Sequence, residues 1–257
     1  MTNQKVTIAL RNSLMYVRFE PISTAFVTLG VDPVDMLSTA SPNPRHLLLL
    51  PPVTDDLSIN QHTGFNVLDG EEEARSFLSS PAGQKAAWLD VREAEYVDDL
   101  LPQEIAELLY LAHKKTHMVL PFYYKLQNEY ARVPLPSGLA TSYWRHPEQF
   151  EAVFSAAINR HLQDILASRP FWLRGRRMQD GVPLPSAIQK TWQDLLPDGV
   201  AFDWPHAQVT GHIVKIALLR VQERRLFAEM DQDALDAQEL GHLVLNRNDG
   251  TWQAELN

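Results

Sequence analysis

The spacing of the apolar residues changes along this chain, and that change limits its fold more than any other feature. The first part holds short β-type runs. "KVTIAL" and "LMYVRFE" are separated by "RNS", the pattern of a hairpin, and "AFVTLG" follows as a third strand. "STASPNPR" then breaks the chain, because two prolines among serine and asparagine favour an extended or turning backbone. "HLLLLPPV" is a continuous apolar run bounded by prolines, either a buried strand or a short helical turn; leucine alone does not decide between them. Residues 54–70 read as a long polar loop. "GEEEARSFLSS" starts a helix, with three glutamates at its positive end and Pro81 just past its finish. "KAAWLDV" reads as a strand. "LPQEIAELLYLAHKKTH" is the clearest helix of the first half, with Pro102 in its first turn, an apolar stripe of Ile105, Leu108, Leu109 and Ala112, and basic residues at its end.

Later, helical spacing takes over. "PFYYKLQNEYARVPL" reads as a hairpin turning near "QN". "HPEQFEAVFSAAINRHLQDILASRP" is a long amphipathic helix with Phe150, Phe154, Ile158, Leu162 and Ile165 or Leu166 on one face. "LPSAIQKTWQDLLPDG" offers Ser186 as an N-cap and ends at Pro197 and Gly199. "TGHIVKIALLRVQERRLFAEMD" reads as a third long helix, and "GHLVLNRNDGTWQAEL" closes the chain as a hairpin turning at "NDG", with Leu243 and Trp252 packed on the main core. The expectation is an α+β fold: short strands and hairpins at both ends, with long amphipathic helices concentrated in the second half. A soft boundary at 134–140 divides a mixed α+β part, 1–136, from a mainly helical part, 137–257, unless the whole is one single domain.

Composition removes several functions. Cysteine is absent, which excludes a disulfide scaffold, thiolate metal sites and a cysteine nucleophile. Glycine is sparse and forms no G-x-G-x-x-G or G-K-[ST], and no serine stands in a G-x-S-x-G, so no cofactor is expected. The apolar run at the N-terminus is too short for a signal segment, and nothing approaches the roughly 18–20 apolar residues of a membrane span. A soluble, cytoplasmic protein with no membrane association is expected.

Charge is uneven. Residues 1–100 carry 7 basic and 14 acidic side chains, residues 101–180 carry 10 and 7, and residues 181–257 carry 6 and 11, which sum to the net −9. A weakly basic centre between acidic flanks argues against general nucleic-acid binding and leaves room for one local anion site. The candidate is "RPFWLRGRRM", residues 169–178. Pro170 stops a helix, Phe171 and Trp172 pin the segment, and Arg174, Arg176 and Arg177 are free to converge on a phosphate, a carboxylate or an acidic loop, with Trp172 able to stack on a ring. The alternative is internal pairing with the chain's own acids, which the net charge favours.

The histidines are less specific. "HKKTH" sets His113 and His117 four apart, as on a metalloprotease helix, but Lys114 and Lys115 stand between them and no glutamate does. A basic helix end complementing the helix dipole explains it, and no metal is expected. His206 and His212 match no metal spacing, and His161 with Asp164 reads as a surface contact. The acidic run Asp90, Glu93, Glu95, Asp98 and Asp99 lacks calcium-loop spacing. Two functions therefore stand. One is a non-enzymatic protein that binds a protein partner or small anionic ligand through Trp172, Arg174, Arg176 and Arg177, with His113, Lys114, Lys115 and His117 as a further basic patch. The other is a hydrolase or transferase acting on an anionic substrate, with His113 or His117 as general acid or base.

Overall fold

Strands outnumber helices in the computed structural model, which describes residues 5–8, 14–39, 43–51, 59–135, 138–168, 184, 188, 194–221 and 235–257. Among these residues twelve strands form: β1 (Lys5–Ile8), β2 (Leu14–Glu20), β3 (Ala25–Leu29), β4 (His46–Leu50), β5 (Asn66–Asp69), β6 (Ala87–Val91), β7 (Tyr130–Pro134), β8 (Ala140–Trp144), β9 (Val200–Thr210), β10 (Ile213–Arg220), β11 (Leu235–Asn246) and β12 (Thr251–Leu256). With them are helices α1 (Pro33–Leu37), α2 (Glu71–Leu78), α3 (Pro81–Lys85), α4 (Pro102–Lys114) and α5 (Phe150–Ser168). The chain divides into two compact units, one of Met1–Phe19, Thr28–Val31 and Phe154–Asn257, the other of Glu20–Val27 and Asp32–Val153.

In the first unit the strand order is β1-β11-β10-β9-β2, with β12 also on β11, and the pairings are antiparallel. Register gives its two faces different chemistry, because directly opposed residues share a face. One row runs Met15, Phe202, Leu218 and Gly241, and Ile216, Leu243, Leu245 and Trp252 lie on the same apolar side, all buried. Phe154 of α5 meets Phe202 edge to face, with ring centroids 5.6 Å apart. The next row, on the opposite face, is Leu14, Asp203, Ala217, His242 and Glu255. Gly241 sits at φ +146, where a β-carbon would lie 2.1 Å from the Glu255 carbonyl oxygen, so only glycine lets β12 approach here.

In the second unit the order is β3-β8-β7-β6-β4-β5. "HLLLL" is a strand covered on both faces. Leu48, Leu50 and Leu89 pack with Leu108, Leu111 and Ala112 of α4, while Leu47, Leu49 and Trp88 are equally buried on the other side. There Phe150 stacks on Phe26, centroids 3.7 Å apart, and Arg132 donates to the Gln84 carbonyl of α3 at 2.9 Å. Asp90, at the end of β6, is buried among these groups, and its carboxylate accepts the amides of Glu129 (3.0 and 3.2 Å) and Tyr130 (2.6 Å). It clamps the chain as β7 begins.

The expected α+β arrangement, with long helices concentrated in the second half, does not hold. Beyond residue 137 the described chain has five strands, β8 to β12, and one long helix, α5. That helix was legible, and Phe150, Phe154, Ile158 and Leu162 are buried as its spacing implies. The stretch 210–231, read as a helix, holds β10 instead in its described part, and residues 222–231 lie outside the described residues. Its Val214, Ile216 and Leu218 alternate with Lys215 and Ala217, and the same residues also satisfy helical spacing, so β-branching was the better guide. β9 had no counterpart in the sequence reading; it contains Pro205, which the chain accommodates in a bulge. β1 and β2 exist but do not form a hairpin with each other: β1 pairs with β11 and β2 with β9. The hairpin expected over 121–135 is a loop followed by β7, which pairs with β6 and β8. β5 occupies the end of the stretch 54–70 read as loop alone, while α2, α4 and β6 lie where expected. The C-terminal hairpin of β11 and β12 is present, with Leu243 and Trp252 buried.

Two outcomes follow from this packing. Trp252→Ala should lower unfolding free energy by about 3–5 kcal/mol, the cost of emptying a buried indole site; a urea midpoint equal to the parent's would mean the hairpin is an appendage. For Asp90, burial pushes the carboxyl up to about 7 against the two backbone amides, and nearby Glu129 adds to the rise. The folded state therefore holds a proton, between the ordinary carboxylate range and about 7, that the unfolded chain has lost. This contribution to stability is complete at low pH and is lost as pH rises through about 7. Asp90→Asn should flatten urea-derived stability against pH across that window, and an unaltered slope would show that Asp90 titrates normally.

Candidate functional site

Of the eight residues expected to bind, Trp172, Arg174, Arg176 and Arg177 lie outside the described residues. The other four stand at the end of α4. Pro102 opens that helix, and the Glu104 carboxylate accepts the Leu101 amide at 2.7 Å. The helix stops at Lys114, because Lys115 turns left-handed at φ 58 and donates its N–H to the Leu111 carbonyl at 2.9 Å. His117 lies beyond this reversal, so its four-residue spacing from His113 no longer sets the two rings on one helical face. His113 and Lys114 are exposed, while His117 packs edge-on against Tyr143 with centroids 5.4 Å apart. Burial holds the Lys115 ammonium below its usual value.

What surrounds this basic end was not read from the sequence. Leu109, assigned to the buried stripe, is exposed, and Leu111 takes its place in the core. "IAELLYLA" carries two overlapping apolar stripes, and only one of them faces β4. Leu109 and Tyr110 are left outside, and the segment after the helix exposes Met118 (65%), Val119 (49%), Leu120 (40%) and Tyr124 (92%). Residues 108–125 contain Lys114, Lys115 and Lys125 and no carboxylate. The available signal was an apolar "MVL" between a helix end and Pro121, belonging to neither periodic element.

The exposed side chains are carried on a braced backbone. Asn128 is fully buried; its side-chain oxygen accepts the Tyr123 amide and its nitrogen donates to the Pro121 carbonyl, both at 2.8 Å. Gln127 takes a left-handed conformation, φ 49, and its N–H reaches the Tyr123 carbonyl at 3.0 Å. The Lys125 ammonium donates to the Asp99 carbonyl. The Arg145 guanidinium donates twice to the Asn128 carbonyl, at 2.9 and 3.1 Å, and lies over the Phe122 ring. Pro121, Tyr123 and Leu126 point inward while Tyr124 points out.

The first unit holds a second arrangement. Asp203 stands opposite Ala217 and Gln208 opposite Lys215, so residues 204–207 face the single residue Ile216. Pro205, which has no N–H to donate, sits in this bulge. The bulge returns His206 over Asp203, whose two carboxylate oxygens take the His206 Nδ1 at 2.8 and 2.9 Å. On the same sheet face, Lys215 pairs with Glu255 at 3.1 Å. His242 beside them is held below the usual imidazole range by burial and by Lys215, against the pull of Glu239 and Glu255. "DWPH" was the missed signal: proline forces the bulge that brings histidine back onto an aspartate three residues earlier. His161, read with Asp164, instead stacks on Trp204 and meets the Gly30 carbonyl at 2.7 Å.

Among the described residues no three His, Asp or Glu side chains gather as a metal site, and no helix is long and apolar enough to cross a membrane. Compared with protein-family models, curated protein sequences and solved structures, the chain matches none.

The brace is testable on its own. Asn128→Ala leaves the Tyr123 amide and the Pro121 carbonyl unpaired in a buried place, which should cost about 1–3 kcal/mol. Amide hydrogen exchange at 121–130 should quicken while exchange in β9 to β12 stays unchanged; equal protection in parent and variant would show that the loop stands without Asn128.

Proposed function

We propose that this is a cytoplasmic binding protein that docks a protein partner on the surface formed by the end of α4 and the loop before β7. The observation that supports it is the concentration of exposed large apolar side chains, Leu109, Tyr110, Met118, Val119, Leu120 and Tyr124, in a stretch with three lysines and no carboxylate. Single exposed hydrophobics are ordinary on any protein, but a set concentrated in one helix end and the loop after it suits recognition. Aromatic side chains on a held backbone lose little conformational freedom on binding, and methionine is enriched at interfaces because it adapts its shape. The partner is a segment offering apolar side chains among carboxylates, since the exposed Lys114 at the helix end would guide such a segment and disfavour a basic one. The class read from the sequence, binding through a basic and aromatic patch, is kept; its centre moves from Arg174, Arg176 and Arg177 to this surface.

A second reading, chemistry performed by a histidine on an anionic substrate, has one specific support, the His206–Asp203 pair.

The binding proposal is tested by fluorescence titration with an amphipathic peptide of glutamate and leucine. A matched glutamate and serine peptide and vesicles of anionic phospholipid serve as comparisons. The first peptide should bind, more weakly as salt is raised, and Met118→Glu with Leu120→Glu should abolish binding with the melting temperature nearly unchanged. Equal binding by the variant, or binding to the vesicles alone, would reject a protein partner at this surface.

A further inference from the structure

The sheet face of the first unit carries an inference that does not depend on the docking surface. We propose that His206 is a general base, positioned by Asp203, that activates water for the hydrolysis of carboxylic esters.

The geometry is that of a buried acid behind an exposed imidazole. The Asp203 side chain is 4% exposed and that of His206 is 61% exposed. A carboxylate accepts hydrogen bonds and cannot donate them, so the bond at Nδ1 places the proton there and turns the Nε2 lone pair outward. Among the described residues no partner engages Nε2. The chain holds a useful contrast in His46 and Asp69, 2.9 Å apart, where the exposures are reversed at 15% for histidine and 73% for aspartate. There the imidazole is covered and the carboxylate faces water, so that pair joins β4 to β5 and can serve no solute. His146 is accessible, but Glu129 and Glu148 stand 3.7 and 3.5 Å away, too far to orient its ring by hydrogen bonds.

Two features of the fold keep His206 in place. Asp203 lies in register between Leu14 and Ala217, inside a paired strand, so its carboxylate cannot swing away. Pro205 stiffens the bulge that returns His206 over it. Lys215 stands opposite Gln208, two residues past His206, and its ammonium is already paired with Glu255 at 3.1 Å. A neutral ester suits this face.

The step balances without a cofactor. His206 Nε2 takes a proton from water as the water oxygen bonds to the ester carbonyl carbon, and the carbonyl electron pair moves onto its oxygen. When that pair returns, the bond to the alkoxy oxygen breaks, and the leaving alcohol takes the proton back from the imidazolium. Asp203 stabilises the imidazolium between the two transfers and is a positioning residue.

The test measures hydrolysis of 4-nitrophenyl acetate by the full chain, the His206→Gln variant and N-acetylhistidine amide at equal concentration. The parent should exceed the free histidine derivative by about tenfold or more, and His206→Gln should lose about that factor. Its melting temperature should hold, since the glutamine amide can donate to the buried Asp203 carboxylate in place of Nδ1–H. Asp203→Asn should lower kcat with KM little changed and alter the pH profile of kcat, because the ring loses its tautomer control. Hydrolysis by His206→Gln at the parent rate would overturn the proposal. So would a stable acetyl group found on His206 by mass spectrometry, which would make the imidazole a nucleophile instead of a base.

Discussion

Pairing between strands far apart in the chain is the constraint on which the rest of this structure depends. β2 finds its partner in β9 and β1 in β11, each across most of the sequence. Every buried backbone amide and carbonyl must be paired, so such non-local ladders decide which side chains become neighbours. Leu14 beside Asp203, and His242 beside Ala217, are products of register alone. A slip of one residue would move Asp203 to the face occupied by Phe202 and Trp204, and it would send those rings into water.

Buried polar side chains mark the places where this regular pairing is interrupted. Asp90 holds the amides that open β7, Asn128 ties the loop before it, and Asp203 holds the histidine of a bulge. Each satisfies groups that a strand ladder would otherwise have satisfied, and each lets an irregular segment keep one conformation. Both candidate sites stand on such segments. A regular strand faces alternate residues to the core at fixed intervals, whereas a braced loop can turn Met118, Val119 and Leu120 outward together.

The legible parts were those in which one short segment decides the matter. α4 carries a proline in its first turn and a stripe, α5 carries a stripe, β6 is a short apolar run, and the "NDG" turn joins β11 to β12 within a few residues. β10 was misread because "HIVKIALLR" satisfies both periods, and the choice between them rests on partners supplied by β9 and β11. The neighbours of the histidines were hidden for a related reason. His113 and His117 look aligned on paper, but Lys115 ends the helix between them, while the three-residue step from Asp203 to His206 acquires meaning only through the bulge at Pro205.

The sequence by itself determined local facts: the absence of cysteine chemistry, the basic centre between acidic flanks, the helix stripes and the hairpin turn. It did so because charge, side-chain chemistry and backbone preference act over a few neighbouring residues. The tertiary structure alone decided which strands pair, which of two apolar stripes on α4 is covered, and which aspartate stands behind which histidine. Those outcomes depend on burial against distant segments, and the free energy of burial belongs to the contact between them, not to either segment read alone.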